Sequence, residues 1–535
     1  MYSPELTERI IAKLAPNGYT LRQESETRYP LRQLSDKAEV MRVPPSPTGF
    51  VHIGTIYAGL INERIAHQSG GVFILRIEDT DKKREVTGSI EAIISAFQKF
   101  DLNYDEGPGK EGGYGPYLQS ERARMYLGYA VDLLHKGRAY PCFASPDDLA
   151  MAVKYQQAKK LRPGYYGQWA LWRDKSAAEI TTALNDNKPF VLRFRSEGSH
   201  DKRINYTDIF KGKMEVPEND LDVPLIKSDE FHLPTYHLAH VVDDFLMGTT
   251  KVFRSDEWLP STALHIELSQ SLGLKPFNYG HFAPISIIDN NGGKRKLSKR
   301  KDPEADVQYW LQAGYPIEAV KAYLLGLANS NFEDWYRANP DKSLKEFSLS
   351  LEKLAASRAP LLDMRKLEDY AKDYIARLSQ EDFYNAIIKS ADGTFKAALE
   401  ADPGYTHQVL AIERTGLKPR KDLSQWSQAK DQYGYFFNEL FETDFQQQGR
   451  QEHLSDIDNN VERAASEAFL SFYVPDDAQA AWLEKMRAAA DNQSLSLKDY
   501  ARILRVKLTG KNQTPDLYAI MQVMGLERVR ARLSV

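Results

Sequence analysis

Cysteine is almost missing from this chain. A single one, Cys142, stands among 535 residues. That excludes an intrachain disulfide framework and any metal site built from several thiolates; alone, Cys142 reads as a small, partly buried residue. Long apolar runs are missing too. No stretch approaches the roughly 20 residues needed to cross a bilayer. The opening MYSPELTERIIAKLAPNG is broken by charges where a secretory signal carries an apolar core. The expected location is the cytoplasm, with no membrane partner. Nor does one sign of charge dominate: 70 Lys and Arg face 74 Asp and Glu, a formal net charge of −4. Composition therefore does not announce a nucleic-acid binder. A hydrophobic fraction of 42% with mean hydropathy −0.52 fits a folded, water-facing chain. Its length implies two to four domains of about 100–200 residues each, and no tandem repeat is visible.

What is present is unevenly spread. KRKLSKRK, residues 294–301, is basic except at Leu297 and Ser298, whereas FFNELFETDF and HLSDIDNNVERAASE are acidic. Such a chain can bind a polyanion locally while its mean charge stays near neutral. Residues 1–37 form a polar leader with one short amphipathic stretch. EVMRV then reads as a strand, VPPSPTGFVHIGT (43–55) as a stiff bend, and TIYAGLINERIAHQSGG as a helix with apolar residues at Ile56, Leu60, Ile61 and Ile65. VFILRIED is the next strand. Strand, crossover helix and strand make a βαβ unit, hence a parallel sheet with ligands at its carboxyl edge. From 118 to 235, helical pieces alternate with short strands such as FVLRFR and DVPLIKSD, an α+β insertion. YHLAHVVDDFLMGTTKVFRSDEW reads as strand, helix and strand resuming the first domain. Beyond about 315 the periodicity is almost wholly helical.

The bend carries the chemistry. Proline and glycine fix a backbone that must approach a ligand closely. The helix opening near Gly54 offers unpaired N–H groups and a partial positive charge suited to phosphate. His52 can donate a ring N–H to a phosphoryl oxygen. The lysines of KLSKRK can reach an anionic leaving group, since such displacements are driven mainly by positioning and electrostatics. Taken singly, a histidine at a helix mouth is most often structural, and a basic run is most often a solvated face; together the two corners are specific.

That pair resembles the signatures of class I aminoacyl-tRNA synthetases, and specifically the bacterial-type glutamyl-tRNA synthetase family. His52-Ile53-Gly54-Thr55 matches the first signature and Lys296-Leu297-Ser298-Lys299-Arg300 the second. PSPTGFVHIGT, GGVFILRIEDTD, GRAYPCF and PTYHLAHVVDDFLMGTTKVFRSDEWL agree, densely from about 40 to 310 and more sparsely beyond. The resemblance implies a Rossmann-like catalytic domain split between 38–117 and 236–285, with an acceptor-end-binding insertion at 118–235. A stem-contact region with the KLSKR loop at 286–375 and a helical anticodon-binding domain at 376–535 would follow. The role of 1–37 stays open.

The implied activity is attachment of L-glutamate to tRNA(Glu) through a glutamyl-adenylate, using ATP with Mg2+. His52, Gly54, Lys296 and Lys299 match the catalytic positions. Thr48, Thr55, Glu257, Trp258 and Leu297, together with His52, Gly54 and Lys299, match the ATP site. Arg42, Pro44, Ser46, Glu78, Tyr236, His240 and Arg254 match the glutamate pocket: arginine forks suit carboxylate, and Glu78 suits the ammonium group. Two positions depart from the family habit, Pro44 for alanine and His240 for asparagine. PCFAS keeps Cys142 but has Ala144 where zinc-binding relatives have a second cysteine, so no zinc is expected. Arg414, Lys418, Arg420 and Lys421 are the tRNA-binding candidates of the helical half. Family habit favours a monomer. Charging of tRNA(Gln) as well, or a non-catalytic RNA-binding descendant, are the alternatives; the intact signatures speak against the second.

Overall fold

The computed structural model describes residues 2–289, 291–356, 360–414 and 419–534. The chain divides into two compact units, Met1–Tyr309 with Leu324–Leu362, and Trp310–Tyr323 with Asp363–Val535. The sequence-based boundary at 375 thus falls inside the second unit.

Within the first unit the leader is not a loose tail. Helix α1 (Pro4–Leu14), capped by Ser3, buries Leu6, Ile10, Ile11 and Leu14; helix α2 (Arg22–Arg28) follows. Strand β1 (Val40–Val43), helix α3 (Ile53–Gln68) and strand β2 (Val72–Leu75) form the βαβ unit read from the sequence. β1 and β2 pair in parallel from Val40 opposite Val72 to Val43 opposite Leu75. Helix α4 (Ser89–Lys99) leads towards the insertion.

The insertion begins with helix α5 (Ala123–His135) and strand β3 (Ala139–Cys142). Helices α6 (Pro146–Ala158) and α7 (Ala177–Asn185) then precede strand β4 (Val191–Phe194). Strands β5 (Arg203–Asp208) and β6 (Gly212–Pro217) form an antiparallel hairpin, and β7 (Pro224–Ile226) completes an antiparallel sheet of order β3-β4-β7.

The return segment differs from the sequence reading. YHLAHVVDDFL is not strand then helix but one helix, α8 (Tyr236–Leu246). Leu238, Val241, Val242 and Leu246 recur at helical spacing, so burial of that face decides. Strand β8 (Lys251–Ser255), helix α9 (Thr262–Ser271) and strand β9 (Asn278–Phe282) follow, with β8 and β9 parallel. The Thr250 N–H donates to the Val40 carbonyl at 3.1 Å, bringing the two parallel pairs side by side. Leader, insertion and this return share one apolar core, in which Leu6, Ile10, Tyr126, Ile180, Leu192, Leu238, Val242 and Leu268 are all buried. A short hairpin, β10 (Ser286–Ile288) and β11 (Lys294–Lys296), carries the basic tract.

The second unit is helical among its described residues. Its core, which includes Phe383, Leu399, Phe436, Phe469, Ile503 and Ile520, is its own.

Candidate active site

The bend is held open by its neighbours. The Glu78 N–H donates to the Pro45 carbonyl at 2.9 Å, the Val86 N–H to Pro47 at 3.0 Å and the Val307 N–H to Val51 at 2.9 Å. His52 is the N-cap of α3: its Nδ1 accepts the Gly54 N–H at 2.8 Å. A ring nitrogen that accepts carries no proton, so the proton of neutral His52 sits on Nε2. Burial, reinforced by Lys299 and Lys296, pushes its pKa down to about 4 against the opposing pull of a hydrogen bond with the Leu297 backbone. At neutral pH it is an uncharged N–H donor. Gly54 has a further reason to be glycine: a Cβ there would stand 2.8 Å from His52 Nδ1.

The second corner meets the first. Leu297 is fully buried, its N–H on the Ile285 carbonyl at 3.0 Å. Asp302 pins the loop, receiving both Arg295 nitrogens at 2.7 and 2.6 Å and the Ser298 N–H at 2.8 Å. Lys296, which ends β11 instead of lying in the loop, reaches Glu257 at 2.5 Å. Lys299 donates to the Phe50 carbonyl of the bend at 2.8 Å and lies 5.0 Å from the centre of the Phe50 ring. Partial desolvation lowers its pKa.

Between the corners opens a cavity of about 560 Å³. Its wall includes His52, Gly54, Thr55, Glu257, Trp258, Lys296, Leu297 and Lys299, and also Arg42, Pro44, Ser46, Glu78, Tyr236 and Arg254. Thr48 is not part of the wall, and neither is His240. His240 is fully buried one layer behind, its ring stacked on Tyr236 at 5.5 Å. Its Nε2 meets the Tyr279 hydroxyl at 3.2 Å, while its Nδ1 lies 2.7 Å from Asp244 without aligned hydrogen-bond geometry. Burial drives its pKa down to about 3 despite that carboxylate. His240, expected beside the amino acid, thus stands behind Tyr236 and outside the cavity wall.

The two arginines of the pocket differ in kind. Arg42 shares Asp244 with Arg76: its Nε lies 3.1 Å from both carboxylate oxygens, and Arg76 lies 2.6 Å from one. Arg254 makes no ion pair among the described residues. Its guanidinium donates instead to His281 Nε2 (3.0 Å), the Tyr236 hydroxyl (3.2 Å), Thr262 Oγ1 (3.2 Å) and the Trp258 carbonyl (3.4 Å), with His265 Nδ1 at 3.1 Å. A buried cation with only neutral partners is an incomplete arrangement that an anionic ligand completes. Glu78, 10% exposed at its side chain, is the counterpart. Burial raises its pKa to about 7 despite Arg76 and Arg42.

Among curated proteins, the glutamate–tRNA ligases of Sorangium cellulosum and Acetivibrio thermocellus are each 40% identical to this chain. They cover 96% and 94% of it, and 97% and 95% of their own lengths. Residues 39–353 match the family of tRNA synthetases class I (E and Q), catalytic domain, and residues 403–535 match an anticodon binding domain. The chain belongs to the glutamyl-tRNA synthetase family. A solved glutamate tRNA ligase from Elizabethkingia meningosepticum, in complex with its amino acid, is similar with a TM-score of 0.75 at 27% identity. It covers 93% of this chain and 98% of that one.

In the helical unit the described basic candidates each have a partner within the unit. Arg414 is buried, 3.6 Å from the centre of the Phe383 ring, and donates to the Ile375 carbonyl at 2.8 Å. Arg420 pairs with Asp422, and Lys421 pairs with Asp373 at 2.6 Å while staying exposed. Lys418 lies outside the described residues. Cys142 Sγ sits 3.2 Å from the Tyr165 hydroxyl, in a small apolar cluster with Tyr140 and Ala170. No helix among the described residues is long and apolar enough to cross a membrane. Asp208, His265 and His281, which stand behind the wall around Arg254, are the residues that sequence reasoning passes over. Each is a lone polar residue in an unremarkable context, and only the fold gathers them.

Proposed function

We infer that this member of the family, which attaches glutamate to tRNA, does so in the cavity between the bend and the KLSKR corner. A glutamate carboxylate oxygen attacks the α-phosphorus of ATP, the bond to the β-phosphate breaks, and pyrophosphate leaves. His52, neutral and protonated at Nε2, donates to phosphoryl oxygens as charge builds. Lys296 and Lys299 exchange Glu257 and the Phe50 carbonyl for the departing phosphates. Thr55, Glu257 and Trp258 line the nucleotide side. The 2′-hydroxyl of the terminal adenosine of tRNA(Glu) then attacks the activated carbonyl, AMP departs, and the hydroxyl proton is released.

Mg2+ fits as an ion carried by the nucleotide. Among the described residues no group of three or more His, Cys, Asp or Glu is arranged to hold a metal ion, and a triphosphate-bound Mg2+ needs few or no protein ligands. Glu257 is the carboxylate on that side of the cavity. Zinc has no part in this reading: Cys142 is the one cysteine of the sequence, and it packs against Tyr165.

The single observation that carries the assignment of the amino-acid pocket is Arg254, buried at the wall and paired with no carboxylate among the described residues. We assign it to the side-chain carboxylate of glutamate, with Arg42 and Tyr236 beside it and Glu78 facing the ammonium group. Arg254→Ala is expected to raise the glutamate KM far more than the ATP KM. Charging of purified tRNA pools with labelled glutamate and glutamine, read alongside pyrophosphate release, tests the whole reading. Glutamate is expected on tRNA(Glu); transfer to tRNA(Gln) as well would make the enzyme non-discriminating, and no transfer to any tRNA would refute it.

A further inference from the structure

We propose that Asp208, contributed by the insertion, and His281 form a brace that holds the Arg254 guanidinium in place for the ligand carboxylate, making both positioning residues of the amino-acid pocket. The proposal rests on the assignment of Arg254 given above.

Asp208 ends strand β5 and is buried. Its Oδ1 accepts the N–H groups of Phe210 (2.9 Å), Lys211 (3.0 Å) and His281 (3.2 Å). A carboxylate so surrounded by N–H donors is ionised, and only accepts. Its other oxygen lies 2.5 Å from His281 Nδ1, so the imidazole proton sits on Nδ1. That leaves the lone pair on Nε2, where the Arg254 Nε–H arrives at 3.0 Å. The proton order is therefore dictated from Asp208 outward. The carboxylate stays one residue removed from Arg254, which is held firmly but not neutralised. A carboxylate in direct contact would compete with an anionic ligand; a histidine between them gives orientation without that competition. Because Asp208 belongs to the insertion, the module that interrupts the parallel domain also reaches the layer behind its pocket wall.

Asp208→Asn is the sharpest test, being nearly isosteric. With Oδ1 kept on the backbone N–H groups, the new amide nitrogen faces His281 Nδ1 and donates to it. The imidazole proton then moves to Nε2, and two donors confront each other at Arg254. In glutamate-dependent pyrophosphate exchange with tRNA present, Asp208→Asn is expected to raise the glutamate KM about 10- to 100-fold, the scale of one hydrogen bond to a charged group. The ATP KM should stay unchanged. His281→Gln, which can still donate to Asp208 and accept from Arg254, should remain near wild type, whereas His281→Phe should resemble Asp208→Asn. Added to Arg254→Ala, Asp208→Asn should cost nothing further. A damaged Arg254→Ala enzyme beside an Asp208→Asn enzyme with wild-type glutamate KM would overturn the brace alone. So would equal rises in both KM values with a lowered Tm. An Arg254→Ala enzyme with wild-type glutamate KM would overturn the pocket assignment, and the brace with it.

Discussion

His52 and Glu78 show how burial selects protonation states. The pKa of His52 falls to about 4 and that of Glu78 rises to about 7, in both cases chiefly because burial disfavours charge. For His52 the result is a neutral donor throughout the physiological range. His52→Ala and Lys299→Ala should each lower the rate of glutamate activation by about 10²–10³, the scale of one lost transition-state donor. Single-turnover pyrophosphate release measures this, and wild-type rates would remove the assigned roles. For Glu78 the result is a titration near neutrality. Only the ionised form pairs with an ammonium group, so glutamate binding strengthens as pH rises through about 7 and weakens below it. Between pH 8 and pH 6 the glutamate KM should rise by about 10-fold. In Glu78→Gln it should be high and flat across that range; an unchanged pH profile in the variant would assign the titration elsewhere.

Elements, too, are set by what they meet. The bend works because a helix begins where it ends, and His52 is at once the cap of that helix and a cavity side chain. Gly54→Ala would set a Cβ 2.8 Å from the His52 ring, so it should displace the imidazole and reproduce most of the His52→Ala loss with little change in glutamate KM. The leader is tied to the same body by Arg32. Its fork meets Glu106 at 2.6 and 2.7 Å, its Nε donates to the Met247 carbonyl at 2.7 Å, and it stacks on Tyr114 at 3.7 Å. Both side chains of that pair are 9% exposed. Arg32→Ala strands the Glu106 charge and should cost about 3 kcal/mol. That would appear as a lowered Tm of the first unit with unchanged KM values. The βαβ unit and the bend are legible in the sequence because each is contiguous, with hydrophobic period and breakers read over a few residues. The α8 segment is misread where the apolar run YHLAHVV fits strand and helix alike, and tertiary burial chooses. The leader's packing is not legible at all: Arg32 meets Glu106 from 74 positions away along the chain, and no local pattern encodes that pairing.

At the scale of the whole molecule, two units each carry a core of their own. Calorimetry should therefore resolve more than one unfolding transition. A non-hydrolysable glutamyl-adenylate analogue at about 100 times its Kd should stabilise only the transition of the first unit, by about 2.7 kcal/mol. A single transition that shifts as one would refute this independence. By itself, the sequence determines the chemistry on offer: a proline–glycine bend ending in a histidine-capped helix, a distant basic corner, and arginines suited to carboxylate. Those are local properties of backbone and side chain, encoded within a few residues of one another. Only the tertiary structure decides how that chemistry is tuned. It pairs Arg42 with an aspartate and leaves Arg254 to neutral partners, places His240 behind Tyr236, and sends Asp208 from the insertion to His281 behind the pocket wall. Burial and long-range contact set charge, tautomer and orientation, and neither is a property of any short stretch of chain.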